Sequence, residues 1–277
     1  LNILPAILCG GIGERVQPFL NSEIPKQFNS IYSERSMLQE TILRVQGDVF
    51  APPVLFGQKD HEDILKQEIK EFKDAKLFLE PFRRNTAAPI ILSILHAFYD
   101  EIENVVVMPS DHIIRDAAGF KKQVKSACEG LNAVNGPIAY FGIAPDKPIT
   151  EYGYISQING GIHFHEKPDA EMAAELISKG ALWNSGIFLI HPQNFLKDFR
   201  QIDEALLLQC LLVFDAFKNV GNLYDISEGH FEALPNIPFD KAYCEKTHMG
   251  ILQRAEFDWI DIGSAEMLEK ARAHKYG

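Results

Sequence analysis

Residues 3 to 15 read ILPAILCGGIGER: six apolar positions, a cysteine, three glycines within four positions, and then an arginine. The apolar run is too short for a buried helix and does not alternate, so residues 3–8 are predicted to form a strand buried on both faces. Glycines after such a strand let backbone N–H groups come close to a bound phosphate. By themselves they are equally a tight turn. The run matches neither G-x-x-x-x-G-K-[ST] nor G-x-G-x-x-G, because position 16 is Val16. Arg15, and Lys26 in the following IPKQ, add a planar fork and a compact charge suited to phosphate oxygens.

Outward from this stretch, apolar runs alternate with helical patterns. Residues 36–45 read as a helix, with Ser36 and Gln39 in capping-box positions. A strand at 53–57 precedes an amphipathic helix at 60–72, whose polar member Glu68 belongs at the edge of the stripe. A strand at 76–80 precedes a helix at 85–99, and NVVVMPSD (104–111) is the clearest buried strand. This rhythm predicts an α/β fold: an open, mostly parallel, mixed sheet with helices on both faces. Further strands are expected at 136–145, 161–168, 186–190 and 250–255. Helices are expected at 169–180 and 264–275, and residues 192–233 read as helical with breaks. No linker or repeat interrupts the chain. It is expected to be one domain over 1–277 on one continuous sheet. No further β-helical or isomerase domain is expected.

The formal net charge is -11, which argues against nucleic acid or an anionic membrane as partner and makes each well-placed cation informative. The four cysteines form no C-x-x-C pair, which argues against a structural zinc site and suits a reducing cytoplasm. No apolar run reaches 18 residues, and no basic segment precedes the first one, so neither a membrane span nor a signal peptide is expected.

The motifs then fall into a recognisable order. GGIGER followed by PKQ resembles the signature of the sugar-1-phosphate nucleotidylyltransferases, and its Pro-Lys-Gln ending is similar to that of the mannose-1-phosphate guanylyltransferases. EPFRRNTAAP (80–89), VMPSDHII (107–114), EYGYI (151–155), FHEKPD (164–169), LWNSGIF (182–188) and FDWIDIGS (257–264) continue the resemblance from about residue 3 to about 270. It implies a Rossmann-like nucleotide-diphospho-sugar transferase fold, with a nucleotide-binding half (about 1–130) and a sugar-binding half (about 131–277). It also implies attack of mannose 1-phosphate on the α-phosphorus of GTP, giving GDP-mannose and pyrophosphate.

The resemblance also implies roles. Asp111 and Asp261 would hold Mg2+, a cation that takes carboxylate and phosphate oxygens. Arg15 and Lys26 would stabilise the departing pyrophosphate. Leu8, Gly10, Gly11, Gly13, Glu80 and Asn85 would contact the nucleotide, with Glu80 or Asn85 facing the donor edge of guanine. Gly153, Glu166, Lys167 and Asn184 would hold the sugar phosphate. His112 is left structural, because Mg2+ does not favour imidazole. Glu14, Gln17, Arg83 and the Ala88–Pro89 order depart from the usual pattern and bear on nucleotide affinity and base choice. A homo-oligomer is left open.

Overall fold

The computed structural model describes residues 1–273 apart from residues 12, 14, 21, 22 and 48. Thirteen strands are described: β1 (Ile3–Leu8), β2 (Val54–Gln58), β3 (Lys76–Glu80), β4 (Asn104–Pro109), β5 (His112–Ile113), β6 (Ile138–Ile143), β7 (Tyr154–Ile158), β8 (Gly161–His165), β9 (Leu182–Ile190), β10 (Lys218–Val220), β11 (Leu223–Asp225), β12 (Ile251–Arg254) and β13 (Ile260–Asp261). The main sheet runs β10–β11–β3–β2–β1–β4–β9–β6–β12, with β7 and β8 attached through β9. From β11 to β4 every pairing is parallel, whereas β9 runs antiparallel to β4, β6 and β7. The fold is therefore the expected mixed α/β sheet.

Side chains alternate along β1 as a two-sided strand requires. Leu4 and Ala6 face one core with the helices Ala87–Tyr99 and Pro192–Asp215, while Ile3 and Ile7 face the other with Met37–Arg44, Glu62–Glu68 and Ala117–Val134. The Met37–Arg44 helix starts in the expected capping box: Ser36 Oγ accepts from the Gln39 N–H (3.1 Å), and Gln39 Oε1 accepts from the Ser36 N–H (3.3 Å). Ser36 Oγ–H also donates to Glu68, the polar residue of the neighbouring helix.

Three features differ from the sequence reading. Residues 192–233 are a long helix interrupted at Asp203, then a hairpin (β10 and β11) that extends the sheet past β3, then the short helix Glu228–Glu232. The helix Ala117–Val134 was not anticipated; Asp116 caps it by accepting from the Gly119 N–H at 2.8 Å. The strand expected at 186–190 begins four residues earlier, and in that stretch it pairs with β7.

Candidate active site

β1 and β4 lie side by side and parallel, with Leu8 opposite Pro109. On one side of β1 the chain order runs to β2 and β3, and on the other it jumps to β4, so a crevice opens at their carboxyl ends. Two loops meet there. Ser110 ties them together, donating its N–H (3.1 Å) and Oγ–H (2.8 Å) to the Leu8 carbonyl. Gln27, fully buried, donates one amide group to the carbonyls of Cys9 (2.8 Å) and Gly11 (2.9 Å), so the Gln of Pro-Lys-Gln fixes the course of the glycine loop. Gly13 has a left-handed backbone (φ 66°), and a Cβ there would lie 2.6 Å from Cβ of Lys26. Glycine is required so that Lys26 can pass beneath.

Lys26 is 2% exposed and its Nζ lies 3.0 Å from Asp111 Oδ2 and 3.3 Å from Asp261 Oδ1. Asp111 follows the end of β4, and Asp261 reaches it because β13 pairs with β5, setting Asp261 opposite His112. The two carboxylates, 150 positions apart in the chain, thus share one ammonium. Burial alone would raise the Asp111 carboxyl, but Lys26, His112 and a backbone hydrogen bond outweigh it and hold the group below its ordinary value. Among the described residues no set of three or more His, Cys, Asp or Glu side chains is arranged to hold a metal, and the side-chain carboxylates that meet here are Asp111 and Asp261.

A cavity of about 390 Å³ opens beside this cluster, and Leu8, Gly10, Gly11, Glu80, Asn85 and Asp111 all line it. Glu80 is 3% exposed. Its Oε2 accepts from Gln58 Nε2 at 3.1 Å, and its Oε1, though buried, has no partner among the described residues. Burial pushes the carboxyl up to about 8, against the smaller effect of the Gln58 hydrogen bond. Asn85 has a left-handed backbone (φ 62°) at the cavity rim and does not cap the following helix; Thr86 holds that position. Arg83 lines the same cavity and brings a positive charge to it. Glu14 lies outside the described residues.

The expected sugar-side residues also meet. The Asn184 N–H donates to the Gly153 carbonyl (2.8 Å), and a Cβ on Gly153 would lie 2.9 Å from Glu166 Oε2. Lys167 adopts a left-handed backbone (φ 45°), unusual for lysine, and its Nζ reaches Glu166 Oε1 at 2.7 Å. Asn184 is held at both ends of its amide: Nδ2–H donates to Asp240 Oδ1 (3.1 Å) and Oδ1 accepts from the Gly186 N–H (2.9 Å). Burial, and then the neighbouring Glu166, push the Asp240 carboxyl up to about 6. The Arg15 guanidinium lies by Gly263, two residues beyond Asp261, in a cleft it shares with Tyr152.

With this geometry in view, residues 4–276 match the family model described as Nucleotidyl transferase. The chain belongs to the nucleotidyl transferase family. It is 31% identical over 276 residues to an Escherichia coli mannose-1-phosphate guanylyltransferase, an alignment covering 95% of this chain and 58% of that protein. It is also 31% identical over 275 residues to the alginate biosynthesis protein AlgA of Pseudomonas aeruginosa, covering 95% of this chain and 57% of that one. The chain therefore spans somewhat more than half the length of these relatives. The crystal structure of a Thermus thermophilus mannose-1-phosphate geranyltransferase superimposes with a TM-score of 0.83 at 26% identity, covering 98% of this chain and 79% of that one.

Four residues of this candidate site escaped the sequence reading. Gln27 and Trp259 stood inside quoted motifs without a role. His112 was set aside, yet its Nε2 lies 3.9 Å from Asp111 Oδ1 and 3.8 Å from Asp261 Oδ1. Asp240 sits in NIPFDKAYCEK, where no spacing marks it, and only the fold brings it to Asn184.

Proposed function

We propose that this nucleotidyl transferase moves GMP from GTP to mannose 1-phosphate, releasing pyrophosphate and forming GDP-mannose. One observation carries the reading: Asp111 and Asp261 converge on a single cationic position where the glycine loop opens. Both curated relatives described above align along nearly the whole chain, and the E. coli relative's name supports the choice of nucleotide and sugar.

The two carboxylates fit Mg2+, since they already share one positive charge and the ion commonly takes one or two carboxylates plus substrate phosphates. When bound, Mg2+ supplies charge neutralisation between the reacting phosphates. Every other role falls to side chains and backbone. The cavity beside Gly10 and Gly11 takes the base, and the unpartnered Oε1 of Glu80 accepts from the donor edge of guanine. Gly153, Glu166, Lys167 and Asn184 orient the sugar phosphate. Its attacking oxygen is ionised at neutral pH, so no general base is required. The new P–O bond forms at the α-phosphorus as the bond to the bridging oxygen breaks, and that electron pair leaves on pyrophosphate. Arg15 and Lys26 stabilise the developing charge, and the rate arises from alignment and electrostatics. Both halves of the chain contribute, so we take them as one catalytic unit.

The test is pyrophosphate release with Mg2+, offering GTP, dTTP, UTP, ATP and CTP in turn with mannose 1-phosphate and with glucose 1-phosphate. Release with GTP and mannose 1-phosphate alone, abolished by Asp111→Ala, is the expected result. Release with another pair would overturn the substrate assignment and leave the chemistry. No release from folded protein would overturn both.

A further inference from the structure

The sugar-side cluster and the carboxylate pair are connected by rings. Trp183 and Tyr152, the chain neighbours of Asn184 and Gly153, meet edge to face with centroids 5.2 Å apart. Tyr152 meets Trp259 edge to face at 5.7 Å, and Trp259 meets His112 at 5.3 Å and 82°. Trp259 Nε1 also lies 3.2 Å from His112 Nδ1. An indole nitrogen can only donate, so Nδ1 must be the bare, accepting nitrogen. The imidazole then carries its hydrogen on Nε2.

That nitrogen lies nearly equidistant from the two carboxylates. Nε2 is 3.9 Å from Asp111 Oδ1 and 3.8 Å from Asp261 Oδ1. Both separations exceed a hydrogen bond, so the N–H bonds neither oxygen and acts on the pair only through its dipole. Lys26 approaches the same pair through Asp111 Oδ2 and Asp261 Oδ1. The carboxylates therefore have a charged donor in direct contact and a neutral N–H dipole beside it. A neutral donor orients them without adding a positive charge that would oppose an incoming cation. The side chain of His112 is 12% exposed, and the ring contacts leave it little freedom to turn away.

The geometry points to Trp259 and His112 as a positioning pair: the indole N–H fixes the imidazole as its Nε2–H tautomer, and that N–H sets the spacing of Asp111 and Asp261. The kinetic part rests on the guanylyl transfer proposed above, whereas the tautomer and the cation affinity can be read without turnover.

Long-range 1H–15N correlation on protein labelled at histidine nitrogen reads the tautomer directly. The expected spectrum shows His112 with a bare Nδ1 and a protonated Nε2, and Trp259→Phe, which keeps a ring but loses the N–H, abolishes that preference. Partners of this kind that orient metal ligands typically contribute about 10- to 100-fold. Trp259→Phe and His112→Leu are therefore each expected to lower kcat and to weaken Mn2+ binding, measured by its electron paramagnetic resonance signal, by about tenfold or more. The KM for mannose 1-phosphate should move little. His112→Gln, which places an N–H near the Nε2 position, should restore most of both. If Trp259→Phe does not fold, the wild-type spectrum and the His112 variants decide alone. A protonated Nδ1 in the wild type, or wild-type kcat and Mn2+ affinity in His112→Leu, overturns the pair. If the wild type shows no turnover, the functional reading fails, and the spectrum and Mn2+ titrations still judge the pair.

Discussion

The ammonium of Lys26 lies 3.0 Å from the Asp111 carboxylate, deep beneath the glycine loop. It also reaches Asp261, so a residue expected to face phosphate is engaged with the two groups expected to face metal. Removing it leaves two carboxylates facing each other uncompensated. Lys26→Met should lower kcat by roughly 10²- to 10³-fold, as loss of one charge-stabilising donor commonly does. The same variant should gain more thermal stability from added Mn2+ than the wild type gains, because an added cation replaces the lost charge. Scanning fluorimetry with and without Mn2+ measures this, and an equal or smaller gain in the variant would refute it.

Glu80 gives a pH signature. Burial raises its carboxyl from an ordinary 4.5 to about 8, so the folded chain keeps a proton that the unfolded chain gives up. Its contribution to stability is complete below about pH 4.5 and is lost progressively as pH rises to about 8. Glu80→Gln should flatten that part of the denaturation profile. Guanine donors favour the ionised form, so GTP binding at pH 7 should release a proton. Titration calorimetry in two buffers of different ionisation enthalpy reports this, and identical apparent enthalpies would count against Glu80 as the base-contacting group.

Asp240 should govern the sugar side. It holds the Asn184 amide that in turn stands against Gly153 and Glu166. A hydrogen bond to a charged group contributes about 1.5–3 kcal/mol, so Asp240→Ala should raise the KM for mannose 1-phosphate by at least about tenfold. The KM for GTP should stay within about twofold, since among the described residues the Asp240 side chain hydrogen-bonds Asn184 and no residue lining the base-side cavity. A parallel rise in both constants would mean that Asp240 is a fold residue only.

Gly13→Ala tests the path of Lys26. The new methyl would meet Lys26 at 2.6 Å, and φ is 66°. The strain should exceed about 1 kcal/mol, with a loss of kcat approaching that of Lys26→Met. Normal kinetics in Gly13→Ala would show that Lys26 can shift without consequence.

Ser36→Ala supplies a control at a distance. It removes the helix cap and the hydrogen bond to Glu68. It should lower stability by about 1 kcal/mol, seen as a reduced urea midpoint, and leave kcat unchanged.

Much of this was legible in the chain. β1, β2, β3 and β4 each carry a dense apolar run, because a strand buried on both faces has no polar side to show. The capping box was legible because its two hydrogen bonds lie within four residues. The hairpin Lys218–Asp225 was not, since its first strand is exposed and carries no apolar signal, although Gly221–Asn222 is the turn dipeptide such a hairpin uses. Glu80, Asn184 and the two aspartates were singled out by the resemblance that their motifs carry, and the fold places Glu80 and Asp111 on one cavity and joins both aspartates through Lys26. His112 and Asp240 were overlooked for a shared reason: each acquires its role from a partner more than 50 positions away, Asp261 and Asn184 respectively, and periodicity is silent about such pairs.

The short ladder between β5 and β13 has a consequence for how the molecule comes into being. Asp261 meets His112 only when a segment near position 260 docks on one near position 113, a long loop closure whose entropic cost delays it relative to local helices. During synthesis the glycine loop, Lys26 and Asp111 are all made well before their last partner. Until that partner arrives, Lys26 has one carboxylate. The pairing of Asp111 with Asp261 is thus completed by late tertiary closure, after the local elements around Lys26 have formed.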